Sequence, residues 1–569
     1  MHRRHCLLGA LSILLALSAC SRDESVSGTT AGTSTAAVTG TPHVAQATPG
    51  APGDAAPIVT IGTGRLQGVL ADGVESFKGV PYAAPPLGKL RWMAPQPAQP
   101  WGGVRQARAF VHDCAQQPFP YDAAPLRTTP SEDCLYLNIW RPRGAHGLPV
   151  MVWIYGGGFV NGGTSPAAYD GTHLAAKGVV LVSFNYRLGR LGFFAFPALR
   201  AEQPHGPLGN YGYLDQIAAL KWVQTNIGAF GGDPHNVTVF GESAGGGSVH
   251  MLLTSPLAAG LFQKAIVESG GGRDNLMGNR QLSRDLPGLA SAQTIGMNFA
   301  RANGIHGSDA AALAALRALP TDKVVAGLGM MSMNAAGPPT YAGPVVDGSI
   351  VVQSPEQAYR RGQFSHVPLM IGANSADMGI SSAKTLQAAF APFGKDRHRA
   401  MAAYDPGHSD SVHLIAARIA SDRMMVEPAR FVAAQFAAHG LRAYEYRFSY
   451  VAPAAAAALA HGPFAAMASP GAQHASEIPY VFDTIGAVLG SGVTAADLAT
   501  ADAASSYWTQ FAKSGDPGGA GDSESGHALP HWPAYSAQSD LLMDFTQSGP
   551  MPMPDPWRER LDLTAAHAR

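Results

Sequence analysis

The sequence predicts an α/β fold with a large, mostly parallel central sheet flanked by helices. Apolar runs of strand length occur at residues 149–155, 178–184, 236–240 and 367–371, and residues 215–227 have helical spacing. Strands that are buried on both faces are expected to be continuously apolar, and parallel strands are usually connected by helices. The alternation of apolar runs with helical segments therefore predicts this fold class.

Size and charge limit the class of protein. The chain has 569 residues, of which 46% are hydrophobic and 14% are charged, a composition that suits a globular protein with a sizeable core. Its formal net charge is −1, from 39 basic and 40 acidic residues. This near-neutral balance gives no electrostatic reason to expect a nucleic acid partner.

The N-terminal residues have the pattern of an export signal. Residues 1–5 are basic and residues 6–19 are mostly apolar, a run too short to span a membrane comfortably. The run ends in LSAC, which resembles the bacterial lipobox, where cleavage leaves a cysteine that carries diacylglycerol. We therefore predict a lipoprotein signal at 1–19 and a lipidated Cys20, which would hold the exported protein on the periplasmic side of a membrane. An ordinary signal cleaved nearby, which would give a secreted protein, stays open.

The segment that follows is expected to be a flexible linker. Residues 21–57 are rich in Ser, Thr, Ala, Gly and Pro and show no hydrophobic periodicity. A flexible coil of this length would reach roughly 30–35 Å between its ends, enough to hold a domain away from a membrane surface. With Cys20, this gives a lipidated linker at 20–57 and a single α/β domain at 58–569.

Cysteine usage agrees with an exported protein. Of the four cysteines, Cys6 would be removed with the signal and Cys20 would carry lipid, which leaves Cys114 and Cys134. Two remaining cysteines in an oxidising compartment predict a disulfide. A zinc site is not expected, because no CxxC motif or histidine cluster accompanies either residue.

The chemistry is expected where the predicted strands end. The run at 236–240 is followed by Gly241, Ser243 and Gly245 in a G-x-S-x-G pattern, and then by an apolar helical segment. Such a strand–turn–helix exposes a nucleophilic serine, and glycines are needed beside it because side chains there would collide with the neighbouring strand and helix. A phosphate-binding loop is excluded, since no Lys-Ser/Thr pair follows.

A second glycine cluster supplies the other part of an acyl-transfer site. The run at 149–155 is followed by Gly156, Gly157 and Gly158, whose amides are unobstructed by side chains. With the amide of Ala244, the amides of Gly157 and Gly158 are predicted to form an oxyanion hole.

Several further motifs, in order along the chain, resemble those of the type-B carboxylesterases, which include cholinesterases and bacterial p-nitrobenzyl esterases. They begin with FKGVPYA at 77–83 and SEDCLYLN at 131–138, and continue with NYR at 185–187 and FGGDP at 230–234. The resemblance spans nearly the whole domain. It implies an α/β-hydrolase fold and a serine carboxylester hydrolase that needs no metal or organic cofactor and acts on a small-molecule ester.

The resemblance also implies the remaining members of a catalytic triad with Ser243. His474 lies in a GAQHASEIPYVF segment that matches the family's histidine motif, and the family's acid position falls on Asp377. Here Asp stands where Glu is usual, so the backbone is expected to lie closer to His474. Asp347, in PVVDG, is the rival acid and is expected to be structural.

Other residues match family positions behind the triad. Glu242, Glu477 and Ser269 are expected to share a buried hydrogen-bond network, and two neighbouring carboxylates should raise the pKa of at least one of them. The pairs Arg91–Glu132 and Arg187–Asp215 are expected to be structural ion pairs.

Substrate preference is only partly limited by the sequence. In cholinesterases, the loop closed by the equivalent disulfide carries a tryptophan that binds quaternary ammonium, whereas no tryptophan occurs between Cys114 and Cys134. Choline esters are therefore not expected. A non-catalytic binding protein is disfavoured by the intact Ser243 and His474, while amide hydrolysis, the size of the ester and the oligomeric state stay open.

Overall fold

The structure is a computed structural model that describes residues 56–568 except 121, 123, 275–277, 331, 333–336, 380, 462–468 and 519–528. The predicted signal at 1–19, Cys20 and the predicted linker up to residue 55 lie outside the described residues. No helix in the described ranges is both long and apolar enough to cross a membrane.

Strands occur along most of the described chain. In order they are β1 Ile58–Ile61, β2 Gly64–Gln67, β3 Val69–Ala71, β4 Val74–Pro81, β5 Val104–Gln106, β6 Tyr136–Pro142, β7 Leu148–Ile154, β8 Val180–Phe184, β9 Phe193–Phe194, β10 Gly209–Asn210, β11 Gly232–Glu242, β12 Lys264–Glu268, β13 Leu369–Asn374, β14 Ala443–Phe448, β15 Leu541–Thr546 and β16 Gly549–Pro554.

Helices fill most of the connections between these strands. They are α1 Thr172–Ala176, α2 Gly189–Gly192, α3 Pro197–Glu202, α4 Tyr211–Asn226, α5 Ala244–Thr254, α6 Ala292–Ala302, α7 Ala310–Arg317, α8 Thr321–Val325, α9 Pro355–Arg360, α10 Leu386–Ala389, α11 Arg397–Tyr404, α12 Val412–Ser421, α13 Glu427–Ala438, α14 Pro453–His461, α15 Ile478–Val481, α16 Ile485–Leu489, α17 Ala495–Ser514 and α18 Arg558–Ala566.

One large sheet organises the fold. Its eleven described strands run in the order β16-β15-β14-β13-β12-β11-β7-β8-β6-β4-β3. The strands from β15 to β8 pair in parallel, whereas β16 at one end and β6, β4 and β3 at the other pair antiparallel. The α/β-hydrolase fold is confirmed, with a sheet that is parallel in its centre and antiparallel at both ends.

The predicted strands and helix are confirmed where the sequence is most apolar. The four runs correspond to β7, β8, β11 and β13, and the helical segment corresponds to α4. Every residue of β8 and β13 is buried, as is the apolar part of β11 from Val237 onward. These strands are apolar along their whole length because neither face of the sheet centre meets water.

The register of the central strands brings several polar residues to one edge of the sheet. Gly241 in β11 lies opposite Ile154 in β7, and Glu242 lies opposite Glu268 in β12. Glu268 in turn lies opposite Gly372 in β13. The chain segments that leave β7, β11, β12 and β13 therefore meet at the carboxyl edge of the sheet, where ligands bind in open α/β folds.

The two predicted ion pairs form in the surrounding scaffold. Arg187 Nε and Nη2 each lie 2.8 Å from an oxygen of buried Asp215, and Arg91 Nε lies 2.9 Å from Glu132 Oε2. Both pairs are bidentate, the geometry that suits a buried guanidinium. Neither pair lines the cavity described below, so their structural assignment is consistent with their positions.

Candidate active site

Ser243 stands on a strained turn between β11 and α5. Its φ of 55° and ψ of −120° lie in a region that residues with a side chain rarely adopt. The Ser243 amide donates to the Glu268 carbonyl at 2.9 Å, which anchors the turn to the end of β12. The surrounding structure thus holds a conformation that the residue alone would avoid.

The glycines around Ser243 are required by close backbone contacts. A Cβ atom on Gly245 would lie 1.9 Å from the Ile154 carbonyl oxygen, and one on Gly241 would lie 2.6 Å from the same atom. The predicted collision with the neighbouring strand is confirmed. A Cβ on Gly246 would lie 2.7 Å from the Gly270 Cα, so this third glycine lets the start of α5 pack against the chain that leaves β12.

The structure brings Ser243, His474 and Asp377 into one hydrogen-bonded chain. His474 Nε2 lies 2.9 Å from Ser243 Oγ, and His474 Nδ1 lies 2.6 Å from Asp377 Oδ1. Asp377 is 3% exposed and His474 is 7% exposed, so water does not compete freely for these contacts. A nucleophile bonded to a base, and a base bonded to an orienting acid, form the arrangement needed for acyl transfer.

Three contacts explain how the short side chain of Asp377 reaches the histidine. The Ala376 amide donates to the Ala472 carbonyl at 2.9 Å, and the Asn374 side-chain amide donates to the Gln473 carbonyl at 2.6 Å. The Ala472 amide donates back to Ser375 Oγ at 3.0 Å. These bonds hold the segment that carries the acid against the segment that carries the histidine.

The environment of Asp377 favours its charged form. Burial alone would raise the pKa of Asp377, but the charge of His474 and hydrogen bonds from His474, Ser269 and the Asn374 amide hold that pKa below its ordinary value. The Ser269 hydroxyl donates to Oδ2 at 2.7 Å, and the Asn374 amide donates to the same oxygen at 2.9 Å. Asp377 therefore stays ionised while it faces the imidazole.

Asp347, the rival acid, does not lie beside His474 and has different hydrogen-bond partners. Its Oδ1 accepts hydrogen bonds from the amides of Ser349 at 2.6 Å and Ile350 at 2.7 Å, and its Oδ2 accepts one from the Asn210 side chain. These contacts close a turn and fasten it to β10. Within the described residues, no contact joins Asp347 to His474.

His474 is set between two carboxylates. Burial would lower the pKa of His474, but the charge of Asp377 and its hydrogen bond outweigh burial and raise that pKa above its ordinary value. On the other side of the ring, Nε2 also lies 3.2 Å from Glu242 Oε1. The charge of Asp377 and its hydrogen bond therefore stabilise the protonated form of His474.

A cluster of buried carboxylates lies behind this chain of contacts. Burial is the largest cause that raises the pKa of Glu242 well above its ordinary value, and the charges of Glu477, Asp377 and Glu268 raise it further. Burial and the charge of Glu268 likewise raise the pKa of Glu477. The predicted rise is confirmed, although desolvation contributes more to it than mutual repulsion.

Gly156, the first glycine after β7, lies beside Ser243, since a Cβ on it would be 3.0 Å from the Ser243 Cβ. Gly157 has a φ of +100°, and a Cβ on it would lie 2.2 Å from the Asn161 carbonyl oxygen, so both its conformation and its surroundings require glycine. Gly156 and Gly157 line the same cavity as Ser243. In the described part of the chain, no acceptor takes a hydrogen bond from the amides of Gly157, Gly158 or Ala244, which leaves them free for a ligand oxygen.

Comparison with known proteins identifies the family to which the chain belongs. The sequence model of the Carboxylesterase family matches residues 55–404 and 394–555, which is most of the chain. The chain belongs to the carboxylesterase family. As a type-B carboxylesterase it is a carboxylic ester hydrolase, and the predicted resemblance is confirmed.

Relatives of this carboxylesterase are similar over nearly their full lengths. It is 37% identical over 505 residues to a fumonisin B1 esterase of Sphingopyxis macrogoltabida, a match that covers 86% of each chain. It is 35% identical over 512 residues to a para-nitrobenzyl esterase of Bacillus subtilis (strain 168), covering 86% of this chain and 94% of that protein. A solved PNB esterase structure has a TM-score of 0.72 and 30% identity and covers 90% of this chain and 99% of that one.

A mostly apolar cavity of this carboxylesterase opens onto Ser243 and His474. Its wall includes the side chains of Phe119, Ala168, Tyr169, Leu459, Ile478, Ile485 and Leu489. Apolar walls with a few polar groups are typical of small-molecule sites. One wall residue, Asp122, is an acid that is not part of the cluster around His474.

Three site residues were not predicted from the sequence. Glu268 joins the buried carboxylates, and burial raises its pKa to about 8, although the Trp508 indole N–H donates to its Oε1 at 2.8 Å and opposes this rise. Asn374 donates to Glu477 Oε2 at 2.5 Å and links the acid segment to the cluster. The sequence signal for Glu268 is an acid that ends the apolar strand KAIVE, and the signal for Asn374 is its place three residues before Asp377 in the family's acid motif. Asp122 has no such signal.

Proposed function

We propose that this chain hydrolyses carboxylic esters through an acyl-enzyme on Ser243, with His474 as general base and Asp377 as the acid that orients it. The observation that carries the proposal is the chain of contacts from Ser243 Oγ to His474 Nε2 at 2.9 Å and from His474 Nδ1 to Asp377 Oδ1 at 2.6 Å, at the wall of an apolar cavity. Membership of the carboxylesterase family supports ester hydrolysis.

In the first half of the proposed reaction, Ser243 Oγ attacks the ester carbonyl carbon while its proton moves to His474 Nε2. The carbonyl π bond opens, and the amides of Gly157, Gly158 and Ala244 hold the oxygen that becomes negative. The tetrahedral intermediate then collapses: the bond to the alcohol oxygen breaks, and that oxygen takes the proton from His474. An acyl group esterified to Ser243 remains.

In the second half, a water molecule replaces the alcohol. His474 takes one proton from this water as its oxygen attacks the acyl carbon, and the same amides hold the second oxyanion. Collapse breaks the bond to Ser243 Oγ, which recovers its proton from His474. The products are one carboxylic acid and one alcohol, and the enzyme returns to its starting state.

Asp377 is proposed to hold the imidazole in the productive tautomer. An ionised Asp377 accepts the Nδ1–H, which leaves Nε2 free to accept the serine proton. Ser269 supports this role because its hydroxyl donates to the second oxygen of Asp377 at 2.7 Å. Glu242 and Glu477 are proposed to support the same geometry from the buried cluster.

We expect Asp377→Asn to lower kcat for p-nitrophenyl butyrate by on the order of 10⁴, because the asparagine amide would favour the wrong tautomer of His474. Asp347→Asn is the matched control, since Asp347 is also an acid on a turn but only contacts Asn210 and nearby amides. Its kcat should stay within a few-fold of the wild type. Steady-state kinetics on both variants gives the comparison. A larger loss of kcat in Asp347→Asn than in Asp377→Asn would mean that Asp377 is not the acid that orients His474.

We also propose that the α/β-hydrolase domain at 58–569 is exported and attached to a membrane through lipid on Cys20, with 1–19 removed as the signal and 20–57 as the linker. The LSAC sequence before the linker motivates this proposal. The Cys114 and Cys134 sulfurs, bonded at 2.04 Å in the structure, are consistent with an oxidising compartment.

We expect Cys20→Ser to move the protein from the membrane fraction to the soluble periplasmic or secreted fraction of a bacterial host. The hydroxyl of serine cannot form the thioether that joins diacylglycerol to cysteine. Ser21→Ala, next to it, keeps Cys20 and should leave the protein on the membrane. Fractionation followed by esterase assay, with mass spectrometry of the mature N-terminus, tests this. A wild-type N-terminus that begins elsewhere, or a Cys20 without diacylglycerol, would refute the lipid anchor.

A further inference from the structure

Asp122 places a carboxylate on the wall of the cavity that also contains Ser243 and His474. It lies in the segment between Cys114 and Cys134, and its Oδ1 accepts a hydrogen bond from the Ala124 amide at 2.9 Å. Among the described residues, no lysine, arginine or histidine forms an ion pair with it. Among the described residues, the Ala124 amide is therefore the one hydrogen-bond donor to the Asp122 carboxylate.

The other residues of the cavity wall supply little positive charge to balance the Asp122 carboxylate. Of the described residues that line the cavity, the only other carboxyl or basic side chains are Glu242 and His474, which contact each other at 3.2 Å beside Ser243. Neighbouring wall residues are largely apolar, including Phe119, Ala168 and Ile485. An acid with no nearby cation in an apolar cavity is costly to keep charged, and a cation supplied by a ligand would offset that cost.

Burial changes the pKa of Asp122 and therefore the pH range in which it is charged. Burial raises the pKa of Asp122 to about 6, and the Ala124 amide opposes that rise. Since its pKa lies below neutral pH, Asp122 is mainly ionised at pH 7 to 8 and mainly neutral at pH 5. An ammonium bound beside it would favour the ionised form further.

We propose that Asp122 selects esters that carry a protonated amine, by pairing with the ammonium group while the ester carbonyl lies at Ser243. The inference rests on the proposed ester hydrolysis at Ser243 and names its substrate class. An N–H on the ammonium adds a hydrogen bond to the free oxygen of Asp122, which strengthens the pairing of the two charges. Asp122 acts here as a specificity residue and takes no part in bond breaking.

Matched pairs of esters test the inference. One pair consists of p-nitrophenyl esters of an ω-(dimethylamino)alkanoic acid and of the isopropyl-terminated acid of the same length, in which C–H replaces the ammonium N–H. A second pair carries the same two termini on the alcohol side of butyrate esters. A series of chain lengths in both pairs lets the amine reach Asp122 from either side of Ser243.

The measured quantity is the ratio of kcat/KM for the amine ester to that for its neutral partner. In the wild type at pH 8 this ratio should exceed one for at least one chain length, and Asp122→Asn should lower it by about tenfold, mainly through KM. Asp133→Asn is the matched control, because Asp133 lies in the same loop but pairs with the Tyr136 hydroxyl at 2.9 Å and does not line the cavity. Its ratio should equal that of the wild type.

A pH series on the wild-type enzyme tests the same point without any substitution. The ratio should fall as the pH drops through about 6, because Asp122 becomes neutral while the dimethylammonium group stays charged. Other titratable groups on this wall are Tyr169, Tyr450, Tyr480, Glu242 and His474. A change in charge on Glu242 or His474 also acts on the ammonium ester and not on its neutral partner. The pH series is therefore repeated on Asp122→Asn, in which the fall of the ratio near pH 6 should be absent if Asp122 causes it.

The outcomes separate the two proposals. If neutral esters are hydrolysed but the ratio is the same in the wild type and Asp122→Asn at every chain length, and does not change with pH, Asp122 does not select amines and the proposed function stands. If no ester of either kind is hydrolysed by the wild type, the proposed function fails and the substrate class with it. A ratio that falls in Asp122→Asn and at low pH, but not in Asp133→Asn, supports the inference.

Discussion

Ser243→Ala is expected to lower kcat for short-chain p-nitrophenyl esters by on the order of 10⁵–10⁶, to near the background rate. In the proposed mechanism, the substitution removes the atom that carries the acyl group, while the amides of Gly157, Gly158 and Ala244 remain in place for the carbonyl oxygen. KM should change little because the cavity keeps its shape. Steady-state kinetics with p-nitrophenyl acetate and butyrate measures the loss.

The control for this variant is Ser514→Ala, an exposed serine at the end of α17. It should retain wild-type kcat, and thermal unfolding should give similar midpoints for the two variants and the wild type. A Ser243→Ala enzyme that is folded and still turns over these esters at more than a small fraction of the wild-type rate would end the proposed mechanism.

His474→Ala is expected to cause a loss of similar size, on the order of 10⁵–10⁶ in kcat, because serine and histidine act as one unit in the proposed mechanism. Without the imidazole, Ser243 has no partner at 2.9 Å to take its proton. The matched control is His531→Ala, since His531 is an exposed histidine whose ring lies 3.4 Å from the Gly518 carbonyl oxygen. Its kcat should remain close to that of the wild type.

Combining the two substitutions makes this prediction more specific. Because the residues act together, the Ser243→Ala, His474→Ala double variant should be hardly slower than either single variant. Losses that multiply in the double variant would mean that the two residues contribute independently, which contradicts a proton transfer from Ser243 to His474.

The centre of the fold could be predicted because it is encoded locally. Strands β7, β8, β11 and β13 are continuous apolar runs, and the turn at Ser243 is marked by glycines at fixed positions. Short apolar runs that are bounded by glycines and alternate with helical segments are typical of buried parallel strands. The positions of His474 and Asp377 relative to Ser243 came from the family resemblance, since nothing local joins residues so far apart in the chain.

The remaining features depend on which strands become neighbours. Glu268 joins the buried carboxylates because β12 pairs with β11 in a register that sets it opposite Glu242, and no pattern within KAIVE determines that register. Gly246 is needed because the chain leaving β12 passes 2.7 Å from where its Cβ would lie. Asp122 lines the cavity that contains Ser243, a long-range placement that the sequence around it does not indicate.

Rapid acid quench followed by peptide mass spectrometry tests whether Ser243 carries the acyl group. Wild-type enzyme mixed with excess p-nitrophenyl butyrate should yield a peptide containing Ser243 with the added mass of one butyryl group, and its appearance should accompany the first equivalent of p-nitrophenol released. The Ser243→Ala enzyme should show neither. A butyryl group found on another residue of an active enzyme, with the Ser243 peptide unmodified throughout turnover, would contradict an acyl-enzyme on Ser243.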